Sequence, residues 1–72
     1  MSVKRKIDPN AETVLAQVRR ELGYTQAEVA EDLGFYIAEL SRWERGTWTP
    51  RRETREKLAN YYGVDYYELW EE

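Results

Sequence analysis

The sequence predicts an all-α domain built from five short helices. Three observations carry this reading. Apolar residues recur three and four positions apart over long stretches, which is the period of a helix with one buried face. No segment alternates apolar and polar residues over a useful length, so no sheet is expected. Glycines at 23, 34, 46 and 63 punctuate the chain where each helical run stops, as glycine does just beyond helix ends.

The elements follow in order. Residues 1–7 read as a flexible basic arm containing Lys4, Arg5 and Lys6, and residues 8–72 as the folded domain. Asp8 and Pro9 are an N-cap acceptor followed by a first-turn proline. Val14, Leu15, Val18 and Leu22 then recur at helical spacing, so helix 1 is expected from Pro9 to Leu22 with Gly23 closing it. Thr25 and Glu28 form a capping box. Helix 2 is expected from Gln26 to Leu33, with Val29, Ala30 and Leu33 turned inward and Phe35 a buried linker after Gly34. Helix 3 begins near Tyr36 or Ile37, carries Leu40 and Trp43 on its inner face and ends at Gly46. After a loop through Pro50, helix 4 spans about Arg51 to Tyr62, with Thr49 an alternative cap. Asp65 caps a last short helix containing Leu69 and Trp70.

Composition narrows the function classes. Seventy-two residues make one domain, and a chain of this size buries only about 60% of its unfolded surface. There is no Cys and no His, which excludes disulfides and the usual zinc sites and fits a reducing compartment. Three Trp, six Tyr and one Phe supply bulky core filler. No apolar run reaches the roughly 20 residues of a membrane span. The basic residues at 4–6 are not followed by an apolar stretch, so no signal peptide is expected. Without His or Cys the common bases and nucleophiles have no carriers, and no glycine-rich phosphate loop is present. An enzyme, a cofactor and a small-molecule ligand are therefore not expected.

Net charge is −3 and the pI about 5.0, an acidic sum that is a poor sign of a nucleic-acid partner. The distribution is more informative. From Ser41 to Lys57 six basic residues stand against three acidic ones, whereas Leu58 to Glu72 holds four acidic residues and no basic one. One end can face phosphate while the other avoids it.

Helices 2 and 3 meet the requirements of a helix-turn-helix. Two short helices joined by a tight glycine-containing turn pack at a steep angle. The crossing wants a small residue, supplied by Ala30, and the turn wants a glycine, supplied by Gly34. The shared core wants apolar residues, found at Val29, Leu33, Phe35, Leu40 and Trp43. Thr25-Gln26-Ala27-Glu28-Val29-Ala30, Leu33-Gly34, Leu40-Ser41-Arg42-Trp43-Glu44-Arg45-Gly46, Pro50, Leu58-Ala59, Gly63-Val64 and Leu69 resemble the phage Cro/repressor-type helix-turn-helix family, the xenobiotic-response-element type. The resemblance covers about residues 12–70, and Ser-Arg-Trp-Glu-Arg-Gly is its most specific part. It implies a lambda-repressor-like five-helix domain whose third helix enters the major groove. It further implies a transcriptional regulator of the repressor kind, often a homodimer on a palindromic operator, working in the cytoplasm on the nucleoid.

Arg42 is the first candidate base reader, because arginine can grip guanine O6 and N7 together; a phosphate contact or a surface salt bridge is the plainer role. Tyr36, Ile37, Ala38 and Glu39 occupy the start of helix 3, where base contacts concentrate. Here the sequence departs from the family pattern, which carries polar residues. Ile37 and Ala38 suit thymine methyls and Glu39 suits cytosine N4. Gln26, at the start of helix 2, is a candidate phosphate contact, as are Arg45, Thr47, Thr49, Arg51 and Arg52 around the loop after helix 3. Trp48 either packs on sugar and backbone or covers the edge of the core. The basic arm suits phosphate or a minor groove. The resemblance pairs Arg19 with Glu44 as a structural ion pair, outside direct readout. Arg55 stands where related chains are apolar, with its stem on the core or its head toward a partner subunit.

The aromatic residues from Tyr61 to Trp70 are core, or a dimer interface where exposed. The rival to double-stranded DNA as partner is a protein bound by the same fold, in the manner of an antitoxin or adaptor, which the acidity and the apolar start of helix 3 favour. A related reading is a designed DNA-binding domain on this scaffold, since the base-reading positions, where the sequence departs from the family pattern, are where redesign would change residues.

Overall fold

A computed structural model describes residues 13–70. Five helices run in the order α1 (Val14–Glu21), α2 (Gln26–Leu33), α3 (Ile37–Glu44), α4 (Arg52–Tyr62) and α5 (Tyr66–Leu69), and no strand occurs among the described residues. The all-α, five-helix reading holds.

The start of α1 differs from the expectation. Asp8 and Pro9 lie outside the described residues. Thr13 is extended, with φ −142° and ψ 165°, so no helix runs continuously from Pro9 through Val14. Thr13 is itself the cap: its Oγ1 accepts from the Ala16 N–H at 3.2 Å. The same hydroxyl donates to the Glu44 carbonyl at 2.8 Å, a contact made 31 residues away in sequence. Leu15 through Val18 are then all buried, so α1 lies within the fold rather than on its surface. Leu22 is not part of this face. It is the C-cap and 49% exposed, and Tyr24, beyond the Gly23 turn, packs against the core instead.

Helix α2 has its predicted bounds because both ends are decided locally. The Glu28 N–H donates to Thr25 Oγ1 at 3.1 Å and the Thr25 N–H to Glu28 Oε1 at 2.9 Å. Gly34 closes it at φ +78°, where a side chain would be strained, and the Phe35 N–H returns to the Ala30 carbonyl at 2.9 Å. Phe35 and Trp43 are half-buried rather than buried and meet edge to face at 5.0 Å. The ring thus seals the turn between α2 and α3 from outside the core.

The fourth helix is capped by Arg51 backbone rather than by Thr49. Buried Pro50 and Arg51 stand between Thr49 and the first turn, too far for its hydroxyl to reach the free amides. Asp65 caps α5 as expected, accepting from the Tyr67 N–H at 2.8 Å. The core consists of Leu15, Val18, Val29, Leu40, Leu58 and Tyr62. The C-terminal aromatics divide. Tyr62 is buried, Tyr61, Tyr66 and Trp70 are half-buried, and Tyr67 is 64% exposed. Trp70 Nε1 donates to the Arg55 carbonyl at 3.2 Å, so the last helix is locked onto α4. The Arg55 guanidinium stands 5.9 Å from the Tyr66 ring centre, against this chain's own aromatic surface.

Candidate nucleic-acid interface

Helical periodicity divides α3 into two faces. Leu40 and Glu44, four apart, are buried. On the other side Ala38, Arg42 and Arg45 are exposed, and Ala38 and Arg42 stand one turn apart on one row. Ile37, three residues before Leu40 and seven before Glu44, shares the side of that buried pair by period but is exposed in the first turn. Tyr36 precedes them as the N-cap and is 79% exposed; Ile37 is 50% exposed. Four of the five candidate base readers are thus exposed, Ala38 and Arg42 on one row and Tyr36 and Ile37 at the start of the helix. The fifth, Glu39, is half-buried, and its Oε1 accepts the Tyr36 N–H at 3.0 Å. It satisfies a free amide of its own helix. Tyr36-x-x-Glu39 is half of a capping box, overlooked in the sequence because tyrosine is not a capping residue.

At the other end of α3, the Arg42 guanidinium lies over the Trp48 ring, 5.6 Å from its centre. Trp48 is 63% exposed, so it covers Arg42 rather than the core edge. Thr47 ends the helix, donating both its N–H at 3.2 Å and its hydroxyl at 3.1 Å to the Arg42 carbonyl. Gly46 allows the turn at φ +75°, where an added Cβ would come within 3.4 Å of Thr13. Arg45 donates to Ser41 Oγ at 3.0 Å. Thr49, Arg51 and Arg52 are exposed along the following segment, and Arg52 stands 5.2 Å from the Tyr66 ring centre. Helices α2 and α3 frame an open apolar groove lined by Ala27, Ala30 and Glu31 and by Phe35 through Ala38.

This surface is held from behind by a buried charge cluster. Arg19 Nε and Nη2 donate to the two Glu44 carboxylate oxygens at 2.6 and 3.1 Å. Arg19 Nη1 donates to the Tyr24 carbonyl at 2.7 Å. Gln26 Nε2 donates to Glu44 Oε1 at 2.9 Å, so the structure turns this candidate phosphate contact toward the ion pair. One carboxylate therefore joins α1, α2 and α3. Arg19 and Glu44 are 8% and 2% exposed.

Tyr62 borders this cluster. Its hydroxyl is buried and finds no hydrogen-bond partner among the described residues. Burial, reinforced by the Glu44 charge and opposed by Arg19, pushes its ionisation well above the ordinary value of 10.0. The hydrogen bond from Tyr61 to the Asp32 carboxylate raises Tyr61 in the same direction. A raised folded-state pKa favours the neutral phenol, so this stability is present below pH 10 and is lost as pH climbs above it. Tyr62→Phe removes a buried unsatisfied hydroxyl and is expected to add about 1 kcal/mol, raising Tm by about 4–8 °C in a domain of this size. It should also make the alkaline loss shallower. A calorimetric scan in which the variant melts below the parent would overturn this.

Among the described residues no group of His, Cys, Asp or Glu is placed to hold a metal ion, and no helix is long and apolar enough to cross a membrane.

Comparison with known proteins agrees with this geometry. A family described as a helix-turn-helix domain matches residues 13–71. The chain is 40% identical over 55 residues to the cryptic phage CTXphi transcriptional repressor RstR of Vibrio cholerae, covering 76% of this chain and 50% of the relative. It is 42% identical over 50 residues to the HTH-type transcriptional regulator ImmR of Bacillus subtilis, covering 69% and 39%. An uncharacterized HTH-type transcriptional regulator of Sinorhizobium fredii is 44% identical over 54 residues, covering 75% and 70%. The chain thus spans half or less of the length of the first two relatives.

Proposed function

Because the chain belongs to the helix-turn-helix domain family, we propose that it binds duplex DNA sequence-specifically, with α3 in the major groove, as a transcriptional repressor. The observation that carries this reading is the exposed row of α3. It sets Arg42 on a rigid helix, one turn from Ala38, with exposed Arg45 on the same helix and Arg51 and Arg52 beyond the loop. Phosphate contacts position a domain of this kind and base contacts specify its site. In this reading Arg42 meets a guanine, Arg45, Arg51 and Arg52 meet phosphates, and Thr47 and Thr49 approach the backbone. Gln26 supports this surface from behind by donating to the Glu44 carboxylate. Such a protein works on the nucleoid in the cytoplasm and needs no catalysis, cofactor or small ligand. The names of its relatives support a regulator rather than an enzyme.

The acidic net charge does not oppose this, because the local field at the interface governs encounter. Selection from a pool of random duplexes, followed by titration at two salt concentrations, tests the reading. Enrichment of a defined sequence is expected. Neutralising three phosphates gives a log–log salt slope of about −2.7, so affinity should fall about 40-fold between 50 and 200 mM salt. Palindromic enrichment would mark a homodimer; a single half-site would mark a monomer. The exposed apolar atoms of Tyr36 and Ile37 favour a second reading, docking on a protein. No enriched sequence together with salt-insensitive retention would replace the first reading with that one.

A further inference from the structure

We propose that the start of α3 reads pyrimidine C5-methyl groups, so that the preferred site sets thymines beside the guanine gripped by Arg42. This rests on the DNA-binding reading above and names the sequence class that the surface fits.

Three features point to methyl groups. Tyr36 and Ile37 are 79% and 50% exposed, and Ala38 beside them is exposed as well. Their apolar surface continues into the groove past Ala27 and Ala30, so a protruding methyl has a concave apolar seat rather than a single side chain to touch. Of the nearby carboxylates, Glu39 already accepts the Tyr36 N–H, which weakens it as an acceptor for cytosine N4, and Glu31 lines the groove from the α2 side. What this end of the helix offers a base pair is therefore chiefly hydrocarbon. The flanking charge is basic at Arg42 and Arg45, matching a polyanion and not an apolar partner.

The major-groove edge of T·A presents a methyl group at C5, which C·G lacks. Hydrocarbon set against that methyl gains by removing apolar surface from water. Both pairs show three polar groups in the groove, so hydrocarbon set against C·G covers as many polar edges and gains no methyl. The methyl group alone thus makes the difference. Ala38 and Arg42 are four residues apart, about 6 Å along the helix axis. That is about two steps of the base-pair rise, which places the guanine close to the thymines within one half-site.

Uracil-for-thymine substitution tests this without altering the protein fold. The selected duplex is titrated against versions in which deoxyuridine replaces each half-site thymine, leaving the hydrogen-bonding edge unchanged. Affinity should fall about fourfold per methyl withdrawn, and roughly fifteenfold for two. Restoring a methyl as 5-methylcytosine at a half-site cytosine placed there should recover part of the loss. With Ile37→Gln, the thymine-to-uracil ratio should narrow to within twofold. Equal binding of thymine and uracil duplexes, with site selectivity and salt sensitivity intact, overturns the methyl inference and leaves the DNA reading standing. An undiminished ratio in Ile37→Gln assigns the effect to DNA shape and also overturns it. Absence of any selected, salt-sensitive site removes the DNA reading itself.

Discussion

Glu44→Ala is expected to destabilise the domain by about 3–5 kcal/mol, the range for breaking one side of a buried ion pair. Arg19 would keep its charge at 8% exposure while losing both carboxylate contacts. Gln26 would lose its acceptor. The three helices would lose the carboxylate that joins them and keep their apolar packing and the Thr13 hydroxyl bond to the Glu44 carbonyl. For a chain of this length, total stability is on the order of 4–11 kcal/mol, so the loss removes a large share of it. Urea unfolding followed by tryptophan fluorescence measures the change. The paired replacement Arg19→Met with Glu44→Leu should restore most of it, because no stranded charge remains. A loss under about 1 kcal/mol for Glu44→Ala would show that the pair is solvated in solution, contrary to its burial here.

Arg42→Ala should leave stability nearly unchanged and strip one base preference from the site. Arg42 is exposed, so its removal opens no cavity. A bidentate arginine–guanine contact discriminates by about 1–3 kcal/mol, roughly 5- to 150-fold. The loss should appear only against the selected duplex, bringing its affinity toward that of a duplex with the guanine replaced. Arg51→Ala, by contrast, should weaken every sequence about equally and reduce the salt slope by about one. Competition titrations with the two duplexes separate these patterns. A uniform loss in both variants would make Arg42 a phosphate residue. Its stacking on Trp48 favours base readout, because a guanidinium already held in place loses less rotamer freedom on binding.

What could be read directly from residue order was whatever short-range chemistry decides. Helix α2 came out with its expected ends because Thr25, Glu28 and Gly34 bond or bend the chain within a few residues. Asp65 capped α5 for the same reason. The start of α1 did not, because Thr13 owes part of its role to a carbonyl 31 residues away, and spacing alone continues the helix back to Asp8 and Pro9. Leu22 satisfied the helical period yet lies outside the core, since periodicity says which residues share a face but not where the neighbouring surface stops. At the candidate interface the exposure of Ala38 and Arg42 followed from their offset to Leu40 and Glu44, whereas that of Ile37, which shares the side of Leu40 and Glu44 by period, did not. The partners of Glu39 and Gln26 did not follow, because a polar side chain chooses among several acceptors and donors by geometry that spacing does not record.

By itself, then, the sequence determined the all-α class, the helix-turn-helix and the concentration of basic residues after Ser41, all of which arise from periodicity, capping and charge order along the chain. Only the tertiary structure decided that Glu44 joins three helices, that Gln26 turns inward, that Glu39 spends its carboxylate on its own helix and that Trp48 lies against Arg42. Each of these depends on which groups meet across long sequence separations or compete for one partner at close range. Those outcomes leave the apolar start of α3 exposed while Glu39 is held by its own helix.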